Sequence, residues 1–205
     1  MNKLALSSMK IGDILIFVGK LQIFWFAIFF RYIIFAGLYP ATAAVIHFLF
    51  KSFEDSTIIH KMNFHDFLAI AKDNFKRANQ VGYLSGLILF FLFADLRLAF
   101  VFAHNIYVTV CLAALMTIFA GSFLYLIPVI VRYNLTLINA FRQAFFLLLA
   151  NLLNTLAMLI GMTIALIIGF FIPVLVLIPV PLFLLANAWF SYLAMTKLEK
   201  ANMKK

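Results

Sequence analysis

The sequence predicts an all-α, polytopic membrane protein with about five transmembrane helices and further amphipathic or interfacial helices on the cytoplasmic side. Three observations predict it. Of the 205 residues, 66% are hydrophobic and only 11% are charged, against roughly 45–50% and about 25% in soluble domains. The mean hydropathy is +1.11, which no single soluble core can absorb. Most Lys and Arg sit in short segments between apolar runs, the pattern that sets membrane topology. Residues 37–80 are the one long stretch outside the spans, and the other elements are arranged around it.

Residues 1–13 mix Lys3, Lys10 and Asp13 with Leu4, Leu6 and Ile11 and read as a short surface helix. A first span is expected over about 14–39, with Lys20 and Arg31 inside it. Ala41-Thr42-Ala43 offers a cleavage-like pattern, but the apolar stretch is too long for a signal peptide and Arg31 interrupts it. Pro40 lacks an N–H and disfavours helix at Tyr39, so a break is expected there. Proline suits the first turn of a new helix. Residues 41–53 therefore read as a second, short helix. A crossing needs about 20 residues, so this helix is expected to be interfacial or re-entrant.

Asn63 is a good N-cap, with Asp66 three positions on. Phe64, Phe67, Leu68, Ala71, Phe75 and Ala78 follow at helical spacing. The opposite face carries Asp66, Lys72, Asp73, Lys76 and Arg77. Residues 64–80 thus read as an amphipathic surface helix with an aromatic underside. Spans are expected over about 81–102, 106–131, 151–171 and 173–195, and a short helix capped by Thr136 over 136–148. Gly82 and Gly86 form a GxxxG face, and Ala157, Gly161, Ala165 and Gly169 repeat at i+4; such small residues let helices approach closely. Pro128 is expected to bend the third span, Pro179 and Pro181 the fifth.

Five spans put the two ends of the chain on opposite sides. Lys51, Lys61, Lys72, Lys76, Arg77, Arg132, Arg142 and the tail lysines fall on one side. The positive-inside rule makes that side cytoplasmic, with the N-terminus outside. Lys3 and Lys10 oppose this orientation, and a six-span arrangement would need residues 40–53 to cross.

The net charge of +9 points to anionic lipid at the cytoplasmic face rather than to nucleic acid, since no basic domain large enough to fold separately exists. Cys111 has no partner for an intrachain disulfide. No sequence pattern of a hydrolase, nucleotide-binding, zinc-protease or redox site occurs, and His47, His60, His65 and His104 are scattered. No enzyme, cofactor or metal site is therefore expected. Charges inside spans are costly and often functional, which singles out Lys20, Arg31, Asp95 and Arg97. The bland reading is a Lys20–Asp95 ion pair with Arg31 snorkelling; the sharper one is a transport pathway. Lys72, Lys76 and Arg77 have two readings as well, an anchor on anionic lipid or a docking surface for a partner.

Gly37-Leu38-Tyr39-Pro40-Ala41-Thr42-Ala43-Ala44, Asn74-Phe75-Lys76-Arg77-Ala78-Asn79-Gln80-Val81-Gly82 and Ala94-Asp95-Leu96 together resemble the YesL-like family of bacterial integral membrane proteins. Tyr125-Leu126-Ile127-Pro128-Val129-Ile130-Val131-Arg132-Tyr133 and Ala140-Phe141-Arg142-Gln143-Ala144 extend the likeness. The family has no established activity, and its members are often encoded beside carbohydrate uptake genes. The resemblance implies an accessory or regulatory role near sugar uptake, with a membrane transport protein or a second copy of the chain as partner. It supplies no site residue. The alternative is a small stand-alone transporter or flippase acting as an oligomer.

Overall fold

The computed structural model of the chain describes residues 3–103, 105–171 and 179–203. Helix is the only regular structure among them: α1 Lys3–Arg31, α2 Phe35–Glu54, α3 Ile58–Lys61, α4 Phe64–Asp73, α5 Phe75–Leu98, a π-helical turn Ala99–Ala103, α6 Ile106–Arg132, α7 Leu137–Ala150, α8 Leu152–Phe171 and α9 Pro179–Asn202. Five segments are long and apolar enough to cross a membrane: Gly12–Arg31, Phe75–Phe102, Ile106–Arg132, Leu152–Gly169 and Pro179–Ala201. The all-α polytopic class expected from composition is what the chain adopts. The turn expected near residue 173 and the residue His104 lie outside the described residues.

The first boundary differs from expectation. The helix expected over 14–39 stops at Arg31, and the next helix starts at Phe35 rather than after Pro40. The break is a tight turn in which Ile33 and Ile34 adopt φ of 54° and 55°. Ile34, with ψ of −67°, centres a γ-turn closed by the Phe35 N–H on the Ile33 carbonyl; this hand of γ-turn is rare and strained. The Ile34 N–H reaches back to the Phe29 carbonyl at 2.9 Å and closes the end of α1. Gly37 then passes so close to α1 that a Cβ on it would sit 2.7 Å from the Ile28 carbonyl oxygen. The α1–α2 hairpin needs glycine at that point.

Pro40 lies inside α2. A proline in a helix leaves the carbonyl four residues back without its donor; here that is the Ala36 carbonyl. Asn79 of α5 supplies the missing donor, its Nδ2 lying 3.0 Å from the Ala36 oxygen. The Tyr83 hydroxyl donates to the neighbouring Phe35 carbonyl. The same arrangement recurs in α6. Pro128 leaves the Leu124 carbonyl unpaired, and the buried Asn187 of α9 donates to it at 2.9 Å. In both helices a tertiary contact replaces the bond that proline removes, so the chain stays helical where a break or bend was expected.

The helix expected to be interfacial over 41–53 is part of the core. α2 packs against α1, α4, α5, α6 and α9, and Ala41, Ala43, Ala44, Val45 and Leu49 are buried. Its small residues make room for five neighbours rather than for a flat bilayer surface. The amphipathic helix expected over 64–80 divides at Asn74. The Asn74 side chain bonds the Ile70 carbonyl at 3.0 Å, a local bond that competes with the helix ladder, and residues 75–80 join α5. The cap at Asn63 is present, its Oδ1 accepting from the Asp66 N–H at 2.8 Å. The apolar underside of α4 faces protein. Phe67 and Ala71 are buried, and Phe24 of α1 meets both Phe64 and Phe67 at 5.3 and 5.7 Å between ring centres.

Two further expectations change. Thr136 makes no side-chain cap on α7, which starts on backbone bonding alone. Asp13 lies 3.6 Å from His60, so the start of α1 sits beside the polar segment that follows α2. The expected orientation, with the N-terminal start outside and residues 54–62 in the cytoplasm, separates two groups that the fold holds in contact.

The proline–asparagine pairing is testable by a double-mutant cycle. Asn79→Ala is expected to destabilise the protein by about 1 kcal/mol, the net worth of a hydrogen bond in such a setting. In a Pro40→Ala background, where residue 40 regains an N–H for the Ala36 carbonyl, the same substitution is expected to cost close to nothing. Thermal unfolding in detergent measures both, and equal costs in the two backgrounds would refute the pairing.

Candidate functional site

The residues singled out in the sequence do not gather into one site. Lys20 is half-buried on α1, while Asp95 and Arg97 are exposed near the end of α5 and Arg31 is exposed at the end of α1. Lys20 and Asp95 do not pair; the ion pairs among the described residues are Asp13–His60, Arg132–Glu54 and Arg132–Glu199. The reason is geometric. α5 meets α1 at its beginning, where Phe75 lies 4.9 Å from Tyr32 between ring centres. Asp95 is about 30 Å farther along α5 at 1.5 Å per residue.

Gly82 and Gly86 do serve packing, but for an aromatic ring rather than a helix backbone. A Cβ on Gly82 would clash with the Tyr39 ring at 2.3 Å, and one on Gly86 would stand 3.8 Å from the Tyr39 hydroxyl. Tyr39, Asn79 and Tyr83 thus interlock the two stretches on which the sequence resemblance was first read. On α8 only part of the small stripe works in this way. A Cβ on Gly161 would come 3.1 Å from the Ala186 Cβ of α9, whereas among the described residues nothing lies within 4 Å of one on Gly169. Ala157 and Ala165 are half-buried.

The strongest polar cluster was not recognised from the sequence. Arg132, at the end of α6, holds Glu199 of α9 with two bonds, Nε to Oε1 at 2.7 Å and Nη2 to Oε2 at 2.8 Å. Such fork-to-fork pairs are the strong form of charge-assisted bonding. The Tyr133 hydroxyl donates to the same carboxylate at 2.6 Å. Glu54 of α2 lies 3.5 Å from Arg132, and the guanidinium stacks 4.9 Å from the centre of the Tyr192 ring. Burial, then the bond to the Glu199 carboxylate, pushes the Tyr133 hydroxyl well above its ordinary value, so it stays a donor. In the sequence Arg132 counts toward topology and the family resemblance, and neither points to a partner. Its partner is 67 positions away, and no local spacing signals it.

Two cavities of about 670 Å³ each open between the helices. The first lies among α1, α2, α6, α8 and α9, with Trp25, Tyr39, Thr42 and Asn187 on an otherwise apolar wall. Trp25 Nε1 donates to Thr42 Oγ1 at 3.3 Å, and Asn187 is already committed to the Leu124 carbonyl. The second is bounded by α5 to α8 and is also apolar, with Thr117 and Thr155 on its wall. Lys20, Arg31, Asp95 and Arg97 line neither cavity. No group of three or more metal-ligating side chains occurs among the described residues.

Residues 18–96 match a family model described as "Protein of unknown function, DUF624". The match runs through α1 to α5, less than half of the chain, and contains both Pro40 and Asn79. The chain is therefore similar over that part to an uncharacterised family. Comparison with curated proteins gives no match. Comparison with solved structures gives none either.

Two stability predictions come from these contacts. Gly82→Val is expected to destabilise the protein by about 2 kcal/mol, because the Tyr39 ring must leave its seat, and Gly169→Val by less than about 0.5 kcal/mol; equal effects in a detergent melt would deny the Tyr39 seat. Glu199→Ala is expected to cost about 2 kcal/mol, between the values for exposed and fully buried pairs. The double variant Arg132→Met, Glu199→Leu is expected to recover most of that loss in the same melt, since the one charge it leaves unpaired, Glu54, is 53% exposed and stays in contact with water.

Proposed function

We propose that the chain is an accessory or regulatory protein of the bacterial cell membrane that acts by binding rather than by catalysis, in association with carbohydrate uptake. The observation that carries this reading is the separation of Lys20, Arg31, Asp95 and Arg97 from the two cavities of about 670 Å³. A stand-alone sugar transporter calls for a polar cavity reaching the intramembrane charges; the two cavities of about 670 Å³ are apolar, a more polar one of about 550 Å³ is lined by Asn139, Arg142 and Gln143, and Lys20, Asp95 and Arg97 line none of them. The carbohydrate link is supported by the YesL-like sequence resemblance and its genetic association alone. The stand-alone transporter or flippase, working as an oligomer, is the second reading.

Orientation is proposed from charge. The tail with Lys197 and Lys200 faces the cytoplasm by the positive-inside rule. The docking surface for a membrane transport partner is assigned to the exposed face of α4. Its apolar face is already buried on α1 and α2, so the side left for a partner carries His65, Asp66, Ala69 and Asp73.

The test is affinity purification of the full chain from native membranes, with Ala69→Arg combined with Asp73→Arg as the comparison. Deleting residues 64–80 would remove the buried Phe67, Ala71 and Ala78 and unfold the protein. A membrane subunit of a carbohydrate uptake system that copurifies with the unaltered chain and is lost with the variant is the expected result. Absence of such a partner from both preparations would refute the accessory reading.

A further inference from the structure

We infer that the α1–α2 hairpin does not cross the membrane: it enters and leaves one leaflet on the face that also holds the end of α9, and the exposed side of α1 lies against the acyl chains of that leaflet. Ion pairs fix which ends share a face. Asp13, at the start of the apolar part of α1, lies 3.6 Å from His60. His60 follows Glu54, the end of α2, across a short polar segment. Glu54 lies 3.5 Å from Arg132 at the end of α6, and Arg132 holds Glu199 near the end of α9. Partners this close cannot lie on opposite sides of a hydrocarbon layer about 30 Å thick. Asp13, Glu54, His60, Arg132 and Glu199 therefore share one face, and between any two of them the chain crosses an even number of times or not at all. α1 and α2 thus cross together or stay together.

The start of α5 separates these two cases. It meets the α1–α2 turn: Phe75 lies 4.9 Å from Tyr32 between ring centres, and Asn79 bonds the Ala36 carbonyl at 3.0 Å. If α1 crossed, the turn and the start of α5 would lie on the far face. A crossing α5 would then return, and α6 would end on the far face, away from Glu54. So α1 and α5 do not both cross. A crossing α1 would also need residues 61–74 to carry the chain to the far face. Those residues expose Lys61, Asp66, Lys72 and Asp73, and charges turned to lipid are costly. α5 exposes Leu87, Phe90, Phe91 and Phe93 instead. α5 is therefore the helix that crosses, with α6 returning, and α1 stays on the face where it starts.

Two features of the hairpin fit this placement. On a crossing α1, Lys20 would stand about 12 Å from Gly12 and about 16 Å from Arg31 at 1.5 Å per residue, near the middle of the hydrocarbon. It is half-buried and has no ion-pair partner among the described residues, the most expensive state for a charge at that depth. Within one leaflet its stem reaches the interface. Backbone at a turn inside a membrane must also find partners in the protein. Here the Phe35 and Ala36 carbonyls accept from Tyr83 and Asn79, and the Ile34 N–H donates to the Phe29 carbonyl. α1 turns Phe17, Leu21 and Ile28 to the protein and Ile23, Phe26 and Phe30 outward, where the acyl chains lie. α5, α6, α8 and α9 are then the crossing helices, and the start of α1 shares a face with the end of α9.

This placement goes beyond the accessory reading, and its test needs no partner protein. The full chain carries Cys111→Ala, which removes its one cysteine, and then one of Gly12→Cys, Arg31→Cys, Lys76→Cys, Tyr107→Cys or Lys200→Cys. Right-side-out and inverted membrane vesicles are each treated with a membrane-impermeant maleimide. Gly12→Cys, Arg31→Cys and Lys76→Cys are expected to label only in the vesicles that label Lys200→Cys, and Tyr107→Cys, at the start of α6, only in the opposite ones. Arg31, Lys76, Tyr107 and Lys200 are exposed, and among the described residues nothing lies within 4 Å of a Cβ on Gly12; a detergent melt confirms that each variant folds. Labelling of Arg31→Cys together with Tyr107→Cys would show that α1 crosses and overturn the placement. Labelling of Gly12→Cys on the side opposite Lys200→Cys would overturn it as well, as would a cysteine at 12 or 31 that is reached from neither side until detergent is added.

Discussion

Two backbone carbonyls hold this fold together in a way that the remaining contacts presuppose. Pro40 and Pro128 each strip a donor from a helix interior, at Ala36 and Leu124. In a hydrocarbon environment an unpaired carbonyl is costly, because no water is present to satisfy it. Asn79 and Asn187 close the gap from neighbouring helices. Each bond fixes one helix at one height against another. With Asn79 in place, Tyr83 reaches Phe35 and Tyr39 fills the space over Gly82. With Asn187 in place, Met158 of α8 joins the same amide at 3.3 Å, and α6, α8 and α9 are brought together.

The central position of α2 follows from these bonds. Lipid supplies no hydrophobic drive for helices to associate, so close fit and hydrogen bonding must do so. α2 offers small side chains at Ala41, Ala43 and Ala44 and is surrounded by five helices. The polar ends of the neighbouring helices are then tied by Arg132, which holds the Glu199 carboxylate that Tyr133 also donates to, and approaches Glu54. The bundle is thus pinned at two levels, by amides within it and by a guanidinium at one end. This leaves Lys20 apart from Asp95 and the two cavities of about 670 Å³ apolar.

Much of the architecture was legible in the sequence. The helices Ile106–Arg132 and Leu152–Phe171 lie within a residue or so of the apolar runs expected over 106–131 and 151–171, because long apolar runs bounded by polar residues admit little but helix. The Asn63 cap was legible because capping is local. The break after α1 was misplaced because Pro40 is the louder local signal, while the actual turn lies in Tyr32-Ile33-Ile34, residues with no turn propensity at all. α4 was read as lying on lipid because periodicity reports that a face is apolar, not what covers it. Of the site residues, Lys20 and Asp95 stood out as charges, but nothing local showed that α5 would meet α1 only at its beginning and leave the two unpaired.

By itself the sequence determined the class, the number of long apolar helices and the places where backbone bonding would be short of a donor. Those properties depend on composition and on neighbours within about four positions along one helix. Tertiary structure alone decided which distant amide repairs each proline, which helix lies at the centre, and that Arg132 pairs with Glu199. These depend on partners from 43 to 67 positions apart, and a hydrogen bond or an ion pair acts only over a few ångströms, so chain separation carries no trace of it until the helices pack.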